Sequence, residues 1–140
     1  MAIEHKMRIR VRYSETDQMG VVHHASYLIY LEEGRTALMR EVLGLPYEEV
    51  ERSGFAFAVR KLDVRYRQAA AYGDEINVLT HIERLGGASI TYGYRLEREG
   101  DGALLLTGSV ETVCMSLKSM GPASIPVHIR EAVERGTTLG

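Results

Sequence analysis

At 140 residues, with 45% hydrophobic and 26% charged residues, the chain has the size and balance of one globular domain spanning 1–140, which excludes disordered and fibrous architectures. A formal net charge of -2, from 17 basic and 19 acidic residues, gives no general attraction to nucleic acid or to an anionic membrane. No apolar run approaches the roughly 20 residues that span a bilayer, Cys114 is the single cysteine, and Met1-Ala2-Ile3-Glu4-His5-Lys6 lacks a signal-peptide core, so a cytoplasmic protein without disulfides is expected.

Met7, Ile9, Val11 and Tyr13 alternate with Arg8, Arg10 and Arg12, which predicts a first strand with one buried face and a solvated arginine face. Ser14 to Gly20 is polar and breaks that period. From Ala25 to Leu43 the apolar residues Leu28, Leu31, Leu38 and Val42, widened by Tyr27 and Tyr30, recur at helical spacing and predict the one long helix. Gly44 stands where a C-terminal cap is expected, and Pro46 opens a short helix over 47–53.

Sheet follows. Leu62, Val64 and Tyr66 alternate with charged residues, and Ile76, Val78 and Ile82 mark the next strand. Leu85-Gly86-Gly87 turns the chain into Ala88, Ile90, Tyr92, Tyr94 and Leu96, giving a hairpin whose tyrosines read as core. After Glu99-Gly100-Asp101-Gly102, the stretch Ala103 to Ser116 is apolar on both faces, which predicts a strand at the sheet's centre or at a subunit interface. Val127 to Arg135 reads as a short terminal helix. The order is an α+β arrangement in which a long, broadly apolar helix must be wrapped by a curved antiparallel sheet.

The chemistry concentrates in Tyr13-Ser14-Glu15-Thr16-Asp17-Gln18-Met19-Gly20-Val21-Val22-His23-His24-Ala25-Ser26-Tyr27, which carries the chain from the first strand into the long helix. There an acidic side chain meets the unpaired N–H groups of a helix start. Thioester hydrolysis requires a carboxylate that attacks the carbonyl or activates water, and a donor for the developing oxyanion. Gly20 permits close backbone approach to a ligand, and Val21 and Val22 offer an apolar wall. Taken alone, Asp17 is an ordinary turn former, and His24 could simply cap the helix. His23 and His24 are adjacent and expected to point apart, with no third ligand at spacing, so no metal is expected. Glu32 and Arg35, three apart on the helix, are expected to form an ion pair or an interface contact. Cys114, on an apolar strand, reads as a buried structural thiol.

This segment, followed by Glu32 and Arg35, resembles the 4-hydroxybenzoyl-CoA thioesterase family and its YbgC-like acyl-CoA thioesterases. The likeness extends through Phe57 to Tyr66, Gly73-Asp74, Gly87 with Ser89, and Ile125-Pro126. It implies a hotdog fold, in which a curved antiparallel sheet wraps a long central helix, and hydrolysis of an acyl-CoA with no cofactor beyond the coenzyme A of the substrate. The family's catalytic aspartate falls on Asp17, and the amide that polarises the thioester carbonyl falls at or beside His24. The resemblance places Gly20, Val22, His23, Tyr27, Val59, Lys61 and Ser89 at the substrate. It also implies a homodimer assembling into a homotetramer, with sites between subunits. His23 departs from the family where relatives often carry an aromatic residue, and only Lys118 stands between Cys114 and Arg130 to meet CoA phosphates. The competing readings are a non-catalytic acyl-CoA-binding module and a hydratase or dehydratase of the same fold.

Overall fold

The period-two segments pair into one antiparallel sheet, and the 3.6-period segment crosses it. A computed structural model describes residues 4–138. Its elements are β1 (His5–Arg10), α1 (Ser26–Glu41), α2 (Tyr47–Arg52), β2 (Phe55–Tyr66), β3 (Glu75–Leu85), β4 (Ser89–Arg98), β5 (Leu104–Ser116) and α3 (Val127–Thr138). The sheet runs in the order β1-β3-β4-β5-β2, with every neighbouring pair antiparallel. β3, β4 and β5 form a meander, while β1 and β2 supply the two edges.

Ile90, Tyr92, Tyr94 and Leu96 of β4 turn inward as their alternation predicts, and they join Ile76, Val78, Leu106 and Val110 in the core. α1 lies over this surface with Tyr27, Tyr30, Leu31, Ala37, Leu38 and Met39 buried. Gly34 sets how close the helix comes. A Cβ there would stand 2.6 Å from Thr80 Oγ1 and 2.7 Å from Val78 Cγ1, so only a residue without a side chain lets the helix backbone rest on β3. At the helix end, Val42 and Leu43 still donate to the Leu38 carbonyl, and Gly44 takes φ +67° as the cap requires.

Three sequence expectations change. The first strand stops at Arg10; Val11 donates instead to the Asp74 carbonyl at 2.9 Å, and Tyr13–Glu15 closes a 3-10 turn. β2 begins at Phe55, well before the alternation becomes legible, because a bulge between Val59 and Lys61 resets its parity. Val59 opposes the buried Thr112 on one side of the bulge, and Leu62 opposes the buried Val110 on the other. β5 lies inside the sheet, one place from its centre: β4 is central, and β5 is flanked by β4 on one side and β2 on the other. Of the two edge strands, β2 carries half-exposed apolar side chains: Val59, Leu62 and Tyr66 are 51%, 43% and 47% exposed.

Candidate active site at the start of the long helix

The loop before α1 is a small hairpin. Thr16 pairs with Val22, the Asp17 N–H donates to the Val21 carbonyl at 2.8 Å, and the Gly20 N–H returns to the Asp17 carbonyl at 3.0 Å. Asp17-Gln18-Met19-Gly20 is the turn, and Gly20 takes φ +81°, the region a glycine enters without steric cost. Asp17 Oδ1 accepts the Met19 N–H at 2.8 Å, an Asx contact that fixes the side chain. Its Oδ2 has no partner among the described residues and stays available for chemistry.

Two residues before Asp17, a buried carboxylate ties this hairpin to the helix. Glu15 Oε1 accepts the Arg12 N–H at 2.8 Å and the Tyr30 hydroxyl at 2.8 Å, while Oε2 accepts the Arg12 guanidinium at 2.9 and 3.1 Å. Burial alone would raise the Glu15 pKa. The bonds from the Arg12 amide, the Tyr30 hydroxyl and the Arg12 guanidinium outweigh it, so the carboxyl sits below its ordinary value and is ionised at neutral pH. Burial and the neighbouring carboxylate push the Tyr30 phenol upward, which keeps it a donor. The Glu15 carbonyl adds two more ties, from the His23 N–H at 2.8 Å and the Ser26 hydroxyl at 3.2 Å.

The helix start is partly satisfied by the backbone, with the Ser26 N–H donating to the His23 carbonyl at 2.8 Å and the Leu28 N–H to the Ala25 carbonyl at 3.1 Å. Its N-cap, Ala25, offers no side-chain hydrogen bond, and Ser26 spends its hydroxyl on Glu15. The imidazole of His24 does not cap the helix either; His23 Nδ1 accepts the Ala25 N–H at 3.1 Å. The Tyr66 hydroxyl donates to the His24 carbonyl at 2.9 Å, so the peptide between His24 and Ala25 is held at both ends. The N–H of His24 itself finds no acceptor among the described residues. An unpaired donor at the positive end of a helix is a receptor for growing negative charge.

Val22, His24 and Tyr27 line one cavity of about 290 Å³ with Tyr66, Arg67, Gln68 and Ala69. Of the residues expected at the substrate, the structure gathers these three. His23 borders them, its ring stacked on that of His24 with centroids 4.2 Å apart, so the two imidazoles do not point apart as expected. No group of three or more metal-ligating side chains occurs among the described residues. Val59 lies in a second cavity of about 450 Å³ along the flank of α1, floored by Tyr47, Phe57 and Tyr92. Lys61 borders a depression on the sheet's other face with Glu83 and Ser109, and Ser89 opens β4 beside Gly86. Within one chain, then, Val59, Lys61 and Ser89 stand apart from Asp17 and His24.

The expected Glu32 and Arg35 ion pair does not form among the described residues; Arg35 instead carries its charge toward the buried phenols of Tyr92 and Tyr94. Cys114 is fully buried, and desolvation raises its thiol pKa. Sequence reasoning missed Glu15, Tyr30 and Tyr66 as parts of the site. A carboxylate in a polar loop carries no mark of burial, and Tyr66 comes to His24 across 42 residues of chain.

The sequence profile of the Thioesterase-like superfamily matches residues 11–133, which takes in the loop, the helix and the whole meander. The chain belongs to that superfamily. Two relatives share its length: the putative acyl-CoA thioesterase YneP of Bacillus subtilis, 38% identical over 117 residues, 84% of this chain and 83% of its own; and the acyl-CoA thioesterase YbgC of Haemophilus influenzae, 33% identical over 124 residues, 89% of this chain and 90% of its own. Among solved structures, a hypothetical protein of Thermus thermophilus, TT1821, superimposes with a TM-score of 0.87 at 39% identity, over 95% of this chain and 97% of that one. The DHNA-CoA thioesterase of Staphylococcus aureus does so with a TM-score of 0.88 at 29% identity, over 94% and 89%. The family resemblance carried by Thr16-Asp17 to Tyr27 is borne out, and with it the hotdog arrangement of a long helix against an antiparallel sheet. No helix among the described residues of this superfamily member is long and apolar enough to cross a membrane.

Proposed function

We propose that the protein hydrolyses acyl-CoA thioesters to a free acid and coenzyme A, at a site assembled from the Asp17 turn and the start of α1. The observation that carries this reading is the pairing of a half-buried carboxylate having one unengaged oxygen with an unpaired amide at an uncapped helix start, in the one loop between β1 and α1. The thioester carbonyl oxygen accepts from the His24 N–H, and the helix dipole favours the charge that builds there. Asp17 then either attacks the carbonyl carbon, expelling the CoA thiolate and leaving an anhydride for water to open, or removes a proton from the attacking water. A single turnover in isotopically labelled water separates the routes: label enters the carboxylate of Asp17 only if the anhydride forms. Water is the sole co-reactant in both.

YneP and YbgC are named for acyl-CoA thioesters, which supports that substrate class for this chain. The cavity holding His24 also presents the guanidinium of Arg67, a cation suited to an anionic substrate such as CoA. Thiol release from a panel of short, long and aromatic acyl-CoAs tests the reading. Release from at least one, with turnover lowered about a hundredfold or more in Asp17→Asn, is the expected result; a chain that binds acyl-CoA without releasing thiol is a binding module. Release of α,β-hydrated product would instead indicate a hydratase.

We further infer a dimer built on β2, an edge strand of twelve residues with half-exposed apolar side chains along its inner face. Such an edge is a template for another strand, and a second copy of itself satisfies it with two-fold symmetry. This would bring the partner's copy of the β2 surface around Val59 toward a site that one chain leaves open.

A further inference from the structure

We propose that Glu15 is a positioning residue: its carboxylate, clasped by Tyr30 from α1 and Arg12 from the loop, holds the Asp17 turn in register with the free amide of His24. The inference rests on the catalytic reading of Asp17 and His24 given above. Beside the backbone pairing within the hairpin, of Thr16 with Val22 and of Asp17 with Val21, ties to α1 and to the preceding chain converge on this one residue. The carboxylate binds the second turn of the helix through Tyr30 at 2.8 Å and the preceding chain through three bonds from Arg12, while the Glu15 carbonyl binds His23 and Ser26 on either side of the helix start. Asp17 lies two residues further on and has no direct bond to the helix among the described residues.

The cluster is more than a satisfied core contact. Glu15 is 9% exposed, and an ionised carboxylate removed from water is tolerated only with this full set of donors. The same fold position could be filled by an apolar residue at less electrostatic cost, but an apolar contact is not directional. Four charge-assisted or phenolic bonds fix both the azimuth of the hairpin and its distance from α1, which the reaction needs because a displacement of about 1 Å between reacting groups can cost a hundredfold in rate.

Tyr30→Phe removes one tie and leaves the ring and the Arg12 bonds in place. Measured well below its melting temperature, this variant is expected to lose about tenfold or more in kcat with KM within about threefold, the signature of a group that acts on the transition state and not on binding. In an Asp17→Asn background the same substitution should cost little further, since the residue it positions is already disabled. A lowered melting temperature with unchanged kcat, or full additivity with Asp17→Asn, overturns the proposal and leaves the catalytic reading intact. A second measurement needs no turnover. Amide exchange at His23, whose N–H donates to the Glu15 carbonyl, should rise by about tenfold in Tyr30→Phe while the β4 amides keep their protection. Unchanged exchange at His23 refutes the clasp even if no thioester proves to be a substrate.

Discussion

At the scale of single residues, the sharpest question is whether His24 acts through its backbone or its ring. The ring of His24 makes no hydrogen bond among the described residues and stacks on His23, while the backbone is fixed by Tyr66 and by the His23-Ala25 contact. His24→Asn keeps the N–H. It is expected to retain activity within about tenfold, a loss of no more than roughly 1.4 kcal/mol in transition-state stabilisation. A hundredfold loss accompanied by a missing limb in the pH–rate profile would make the imidazole a proton carrier and join it to Asp17 in catalysis. The local geometry was legible beforehand: the turn through Asp17 and Gly20 and the helix holding Tyr27 stand out because turn chemistry gives way to helical period at that point. Glu15 was not, since hydrogen bonding to Tyr30 depends on a helix geometry that no local pattern states. The ion pair expected of Glu32 and Arg35 failed for a related reason. Spacing makes the two neighbours on a helix, yet the charge of Arg35 is felt at the buried phenols of Tyr92 and Tyr94 instead.

Among the elements, α1 bears the greatest positional demand, because its start is half of the proposed site and its middle is seated on β3 at Gly34. Gly34→Ala places a methyl group within 2.7 Å of both Thr80 and Val78 side-chain atoms. The helix must lift or the strand must shift, and overpacking of this kind costs about 1–3 kcal/mol despite the better helix propensity of alanine. Chemical denaturation of the variant is expected to show that loss; a stabilised Gly34→Ala protein would show that the helix has room the structure does not display. The helices and β4 follow from sequence period because their partners leave the period undisturbed. β2 was half hidden, since one extra residue at its bulge moves Phe57 and Val59 out of phase with Leu62 and Tyr66, and an alternating pattern with a slip reads as no pattern.

For the whole molecule, the open edge at β2 is the feature that one chain leaves unfinished. Leu62→Asp puts a carboxylate in the middle of the proposed contact, where two copies would set like charges against each other across the symmetry axis. Light scattering is expected to give a dimer or a larger even assembly for the unaltered protein and a smaller species for the variant, with turnover falling alongside. A compact and active monomer at micromolar concentration would contradict a shared site. The sequence pointed to a second subunit through the two-faced stretch from Ala103 to Ser116, but that stretch is buried inside its own sheet. Two-sided apolarity reports that a strand has covered faces; it does not report what covers them.

The burial of Cys114 has a practical and chemical consequence for a catalyst that liberates a thiol at every turnover. Coenzyme A accumulating in an oxidising environment forms mixed disulfides with accessible protein thiols, and an exposed cysteine near the exit would poison the enzyme with its own product. The single cysteine of this chain is buried in β5, opposite Phe57 of β2, and desolvation raises its thiol pKa, which keeps it out of reach of that exchange. The released thiol therefore meets no exposed cysteine thiol among the described residues.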